Sequence, residues 1–331
     1  MFELVFLGTS ASAPSIYRGL PALAVLADEQ RFLVDCGEGT QRQILRSGIG
    51  FKRLNRIFLT HHHLDHLLGL GGLLSTFGRW EAIDEIHIWG GYSAIRRAKS
   101  LVHEVVFLSE TPPVPIHFHR VAPDEVLFKG RRFSVRAFPV SHNVREAYGY
   151  IFEEDARRPF LADRADALGV PHGPERSQLL AGDSIVTPAG RVVYPDEVLG
   201  DLIKGTKVVI TGDLWRTDDI HAAVQDADAL VIESTFLHRD AEIARRVAHI
   251  TAQNAAELAR DCNVKFLFLT HISRRYREFE VIREVRKAFP NSYVPRDLDH
   301  FALFRDQLPQ KLEKRAGGDD EDDLPEGGEL G

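Results

Sequence analysis

Short apolar runs recur along the chain at 2–7, 22–27, 31–34, 56–59, 86–89, 133–138, 207–210, 229–232, 265–269 and 301–304, and each predicts a strand. Between several of them, residues 40–46, 66–77, 94–105, 251–260 and 279–289 repeat apolar positions with a helical period. Early strands follow one another closely, as in hairpins, whereas later ones alternate with helices. The mixture predicts an α/β fold of layers, with sheets in the middle and helices outside. No internal repeat is visible. One stretch breaks the rhythm. Residues 153–200 are rich in Arg, Pro, Gly and Asp, include Arg157, Arg158, Pro159, Pro171, Gly173 and Pro174, and show little core-forming periodicity. A segment of that length inside a compact domain is usually functional or mobile. It reads as a protruding insertion and not as a second folded domain.

Composition narrows the class without choosing a function. The 331 residues are 44% hydrophobic and 27% charged, as in an ordinary globular protein, and no apolar run approaches a membrane span. The N-terminus reads as a strand, which argues against a signal peptide. Cys36 and Cys262 give no disulfide framework and fit a reducing cytoplasm. The net charge of −7 looks wrong for a nucleic-acid partner until it is located. Residues 316–331 hold seven acidic side chains and no basic one, so the rest carries 48 minus seven, or 41, acidic residues against 41 basic. The body is neutral, and residues 311–331 are expected to form a disordered acidic tail. Net charge therefore does not exclude RNA.

Chemistry concentrates at 60–66, which reads Thr-His-His-His-Leu-Asp-His directly after the apolar run at 56–59. On extended backbone, alternate side chains share a face, so His61 and His63 point the same way and His62 points away. A turn into helix at Asp65 and His66 sends two further ligands to a neighbouring point. Two adjacent ion sites follow from that geometry. Imidazole with carboxylate suits zinc best, with manganese or iron as alternatives. A surface histidine-rich loop would not explain four ligand-type residues within six. Asp35, at a strand end before a glycine turn, is placed to orient a ligand histidine or simply to close the turn. His142, Asp213 and His271 each sit just past an apolar run, where α/β folds carry their sites. Singly each reads as a turn or capping residue; jointly they complete two coordination spheres.

Further motifs then join the cluster: Leu-Gly-Thr-Ser-Ala at 7–11, Asp-Cys-Gly-Glu-Gly-Thr-Gln-Arg-Gln at 35–43, Ser141 and His142 followed by Gly149 and Tyr150, Gly212 with Asp213, His-Ile-Thr at 249–251, and Thr-His-Ile-Ser-Arg-Arg-Tyr at 270–276. With these the chain resembles the metallo-β-lactamase superfamily, and within it the ribonuclease Z family of tRNA 3′-processing endonucleases, from residue 2 to about 304. The resemblance implies an αββα sandwich with a protruding flexible arm, its main domain divided into 1–152 and 201–310. It implies two Zn²⁺ per subunit, one held by His61, His63 and His142, the other by Asp65, His66 and His271, with Asp213 bridging. It implies catalytic roles for Asp65 and for His249 as a proton donor oriented by Glu233. Precursor tRNA would be the substrate, held through Arg275, Tyr276 and the arm's Gly173 and Pro174, by a cytoplasmic homodimer without a membrane partner. The products would be a tRNA with a 3′-hydroxyl and a trailer with a 5′-phosphate.

Two departures from the family pattern stand out. Ile232 precedes Glu233 where the family has histidine, and Ile16 and Gly19 replace a lysine and an asparagine in the loop that keeps Pro14 and Arg18. They leave room for two other readings: a hydrolase of small diesters or of another nucleic acid on the same scaffold, and a non-catalytic, metal-bound RNA-binding protein. The 153–200 insertion argues against a small substrate, and the retained Glu233 and His249 argue against a mere binder.

Overall fold

Strands apolar at consecutive positions need cover on both faces. The computed structural model, which describes residues 1–77, 83–108, 110–305 and 307–313, supplies that cover. The chain forms β1 (Phe2–Gly8), β2 (Ala22–Ala27), β3 (Gln30–Val34), β4 (Arg56–Phe58), β5 (Ile86–Gly90) and β6 (Ile116–Arg120). Then come β7 (Val126–Lys129), β8 (Phe133–Pro139), β9 (Tyr148–Glu154), and the short pair β10 (Ile185–Val186) and β11 (Val192–Val193). The C-terminal part adds β12 (Lys207–Ile210), β13 (Ala229–Glu233), β14 (Phe266–Thr270), β15 (Ser292–Tyr293), β16 (His300–Leu303) and β17 (Gln310–Leu312). Two large sheets result, ordered β17-β16-β1-β2-β3-β4-β5-β6 and β15-β14-β13-β12-β9-β8-β7.

Strands β3 to β6 are mutually parallel, as are β12 to β15, so their crossovers carry helices. The period-2 alternation of each strand then sorts its side chains into separate cores. Phe2, Leu4 and Phe6 of β1 meet Val208, Ile210, Val231 and Phe268 between the sheets; the rings of Phe6 and Phe268 lie 5.3 Å apart. Val5, Leu7, Leu33 and Ile57 face the helices Thr40–Ser47 and Leu70–Phe77 through Ile44, Leu73 and Leu74. Val209, Leu230, Leu267 and Leu269 face Ala252–Asp261 and Glu278–Val285 through Ala255, Ala256 and Val281. The layers are helix, sheet, sheet, helix, the αββα order expected.

The sequence pattern missed seven strands: β6, β7, β9, the short pair β10 and β11, β15 and β17. In β6, Ile116 and Phe118 alternate with His117 and His119, so no apolar run marks it. The helix predicted over 66–77 is two pieces, Leu64–Leu67 and Leu70–Phe77. The chain is pinned at Gly69, where a Cβ would lie 2.0 Å from the Gly37 carbonyl oxygen. The helix predicted over 94–105 starts at Tyr92 and ends in a wider π-type turn, Leu101–Val106.

Residues Glu154–Gly205 make a compact unit of their own, although the sequence there shows little core-forming periodicity. Three helices, Ala162–Ala167, Pro174–Ala181 and Pro195–Val198, and the β10–β11 pair enclose Ala165, Val170, Leu179, Ile185 and Val193. Elements of two to eight residues contribute one or two apolar side chains each, too few to show a period. At the other end, Lys311 and Leu312 pair with Phe301 and His300, so the first residues assigned to the acidic tail belong to a strand. The tail from 314 onward lies outside the described residues. Among the described residues no helix is long and apolar enough to cross a membrane.

Candidate metal centre

Parallel strands deliver their C-terminal ends to one side of a sheet, and the chemistry gathers there. After β4 the chain carries His61 and His63 into the short helix Leu64–Leu67, which holds Asp65 and His66. His142 follows β8, Asp213 follows β12 and His271 follows β14. Asp35 and His271 adopt left-handed backbone, φ 59° and 54°, at abrupt turns off β3 and β14. Such conformations are sparsely populated for residues other than glycine and cluster at functional sites.

These turns bring residues far apart in sequence together. His61 Nε2 lies 2.9 Å from His63 Nδ1 and 3.7 Å from Asp213 Oδ2. The same Asp213 oxygen is 3.3 Å from His66 Nε2 and 3.4 Å from His271 Nε2. Asp65 Oδ2 is 3.7 Å from His66 Nε2 and 3.6 Å from His271 Nε2. Two sets of donor atoms emerge, His61, His63, His142 and Asp213 in one and Asp65, His66 and His271 in the other, each within 4.8 Å. Asp213 stands between them.

Whether these residues suit a cation is decided by the ring nitrogens. The Nε2 atoms of His66, His142 and His271 are buried and have no hydrogen-bond partner. On each ring the other nitrogen is engaged. His66 Nδ1 is 2.8 Å from Asp35 Oδ2, His142 Nδ1 is 3.0 Å from the Ala248 carbonyl, and His271 Nδ1 is 2.8 Å from Thr235 Oγ1. Bonds of this kind at Nδ1 leave the lone pair on Nε2, the form in which histidine binds metal. A buried polar atom without a partner costs about 1–3 kcal/mol. Three of them converging beside two carboxylates fit a bound cation, and the imidazole-carboxylate donor set is one zinc takes.

Charge follows the same arrangement. Burial alone would raise the Asp213 pKa, yet His271 and His66 hold it well below the usual carboxylate range. Burial also opposes ionisation of Asp65, but the neighbouring His271 and His66 bring it to about 2. His142 falls to about 4, chiefly through burial, which keeps it neutral. Both carboxylates are thus anionic and His142 is an available base at neutral pH.

At the rim, His249 Nδ1 lies 3.0 and 3.1 Å from the two oxygens of Glu233. Glu233 is buried, accepts from Leu214 N at 2.8 Å and is further held by the Thr235 hydroxyl. Burial works against a charged His249, but the Glu233 carboxylate outweighs it and pushes the pKa up to about 9. A ring nitrogen of His249 also comes within 4.8 Å of donor atoms of Asp213 and His271. The arrangement holds a proton beside the centre. Ile232, the departure preceding Glu233, packs into the core under the outer helices and takes no part.

Sequence reasoning missed the supporting groups. Thr60 donates to Asp35 from both N and Oγ1, each at 2.8 Å, and Ser12 N donates to Asp65 Oδ2 at 3.1 Å. Thr235, two residues past Glu233, could have been flagged by alternation; the Ala248 carbonyl leaves no mark in a sequence. Arg275 is exposed and lines a cleft of about 500 Å³ with Ser12, Thr235, Phe236, His249 and Arg274. Tyr276 needs correcting as a substrate contact. It is only 8% exposed, its hydroxyl donates to Asp240 Oδ2, and the Arg239 guanidinium covers its ring at 5.3 Å, so no face is free to stack on a base. Gly173 and Pro174 belong to the Glu154–Gly205 unit, where Pro174 starts a helix and Gly173 has φ 141°.

Gly212 sets the approach of Asp213. Its φ is 68°, and a Cβ there would sit 2.7 Å from the Thr60 side chain. Gly212→Ala is expected to lower unfolding stability by about 1–3 kcal/mol in urea titration and to weaken metal retention. An unchanged midpoint would show that the turn has slack.

A family model described as tRNase Z endonuclease matches residues 10–69, and one described as Beta-lactamase superfamily domain matches residues 173–272. Among solved structures, the metallo-β-lactamase fold protein YhfI from Bacillus subtilis superposes with a TM-score of 0.63 at 16% identity, covering 90% of this chain and 98% of its own. The short form of human tRNase Z gives 0.64 at 25% identity, covering 91% and 99%. Fold and site together define a metallo-β-lactamase-fold protein with a histidine-carboxylate centre. The ribonuclease Z of Bradyrhizobium diazoefficiens is 46% identical over 92% of this chain and 100% of its own length. That of Archaeoglobus fulgidus is 38% identical over 90% and 96%. The chain belongs to the ribonuclease Z family.

Proposed function

We propose that the protein is a zinc-dependent endoribonuclease that removes the 3′ trailer from precursor tRNA, leaving a 3′-hydroxyl on the tRNA and a 5′-phosphate on the trailer. The observation carrying this reading is the convergence of three buried, partnerless Nε2 atoms on Asp213 and Asp65, in a chain 46% identical to a ribonuclease Z. His61, His63 and His142 would hold one Zn²⁺, and Asp65, His66 and His271 the other, with Asp213 shared; manganese is the alternative metal. When bound, the ions supply a Lewis acid that activates water and neutralises charge on the phosphodiester.

The chain's own residues do the rest. Asp35, the Ala248 carbonyl and Thr235 hold the imidazoles of His66, His142 and His271 in the ligating tautomer. Glu233 keeps His249 protonated near neutral pH, so that the imidazole can donate to the departing ribose 3′ oxygen. Arg275 faces the cleft beside His249 and suits a phosphate of the RNA strand. The Glu154–Gly205 unit, with Gly173 and Pro174, is the reading's tRNA-gripping arm, and the enzyme is expected to act as a cytoplasmic homodimer.

Incubation of the zinc-loaded protein with a trailer-bearing tRNA transcript, with the cut mapped to one nucleotide and both ends typed, tests the proposal. Intact RNA, or a cut away from the trailer junction, overturns it. Arg275→Ala is expected to raise KM with kcat little changed and to reduce the salt dependence of binding by roughly one phosphate contact. A kcat effect alone would remove Arg275 from the binding role.

A further inference from the structure

We propose that Glu85, His87 and His117 form a peripheral site for a divalent transition metal of the zinc type, at the edge of the first sheet. Parallel pairing sets His87 of β5 opposite His117 of β6, and Trp89 opposite His119. Strand alternation then places all four rings on one face. The His87 and His117 rings lie nearly parallel, 4.8 Å apart. Just before β5, Glu85 presents one oxygen to each ring: Oε1 is 3.2 Å from His87 Nε2 and Oε2 is 3.3 Å from His117 Nε2. The three donor atoms lie within 4.8 Å of one another.

Two imidazoles and one carboxylate are donors zinc accepts, with a remaining position open to water. The supports that tie down a metal-binding histidine are present as well. His87 Nδ1 is 3.0 Å from His119 Nε2, so it can donate there while Nε2 holds the ion. The His87 ring is further confined by Trp89, with centroids 5.4 Å apart. The backbone that carries Glu85 is tied on both sides: Asn55 Nδ2 donates to the Glu85 carbonyl at 3.0 Å, and Ile86 N donates to the Pro115 carbonyl at 2.9 Å.

This site is separate from the catalytic centre. His87 pairs with Arg56 at the start of β4, and His61 lies five residues further on, about 16 Å along an extended chain. An ion here would clip the edge strand β6 to β5. Its role is to stabilise that edge of the sheet.

The test uses the full chain, freed of any affinity tag, stripped with chelator and equilibrated with Zn²⁺ alone. Elemental analysis is expected to find one more ion per subunit in the wild type than in Glu85→Gln or His117→Ala. RNA cleavage should be unchanged in both variants, and the Zn²⁺-dependent rise in Tm should be smaller. Glu85→Gln keeps the shape of the side chain, so folded Glu85→Gln with the wild-type zinc content would overturn the proposal. Loss of more than one ion, or loss of cleavage with the ion, would overturn it too, because the site would then not be independent.

Discussion

Asp213→Ala is expected to abolish RNA cleavage and to lower bound metal by at least one ion per subunit relative to the wild type. One oxygen of Asp213 faces His61, His66 and His271 at 3.7, 3.3 and 3.4 Å, so both donor sets depend on it. Alanine leaves the partnerless Nε2 atoms of His66 and His271 without the carboxylate that offsets a cation's charge in a buried place. The loss should exceed the roughly 100-fold typical of removing a group that only orients a ligand. Measurement needs both elemental analysis and single-turnover cleavage. Full retention of metal in a folded variant would show that Asp213 does not bridge the two sets.

His249→Ala is the second large effect, with turnover lowered by about 10²–10⁴-fold, the range for loss of a general acid, and bound metal unchanged. The proton on His249 belongs to the pair with Glu233, whose carboxylate raises the imidazole to about 9 against the cost of burial. The sign of the pH dependence follows. A donor must be protonated, so activity through His249 is present below its pKa and fails as pH rises through about 9. Glu233→Gln removes the charge and leaves the burial. Its alkaline limb should move down toward the ordinary imidazole value of about 6.5 or lower. Metal loss in His249→Ala would make the residue a ligand, a role its proximity to Asp213 and His271 also allows. The pH profile separates the two, because a ligand would give no Glu233-dependent alkaline limb.

How much was legible in the chain varied with distance along it. The ten apolar runs each correspond to a strand, because strands buried on both faces must be apolar without interruption. β6 escaped notice because its alternate positions are histidines at a sheet edge, and those histidines are where the peripheral site lies. Glu154–Gly205 shows little core-forming periodicity because a core assembled from one or two side chains per short element has no period. Tyr276 reads as a substrate contact beside Arg275, since a motif records neighbours in sequence and not the Asp240 and Arg239 that enclose the ring.

By itself the amino-acid order determined the layered α/β class and the cluster at 61–66, because alternation along an extended strand and the first turn of a helix are local geometry. Only the tertiary structure decided that His142, Asp213 and His271 meet that cluster, that Asp35, Thr235 and the Ala248 carbonyl aim its imidazoles, and that His249 shares its proton with Glu233. The physical reason is that these contacts depend on which strands lie side by side. That order is set by how two sheets and their helices bury one another's apolar faces, a property of the assembled chain and of no single stretch of it.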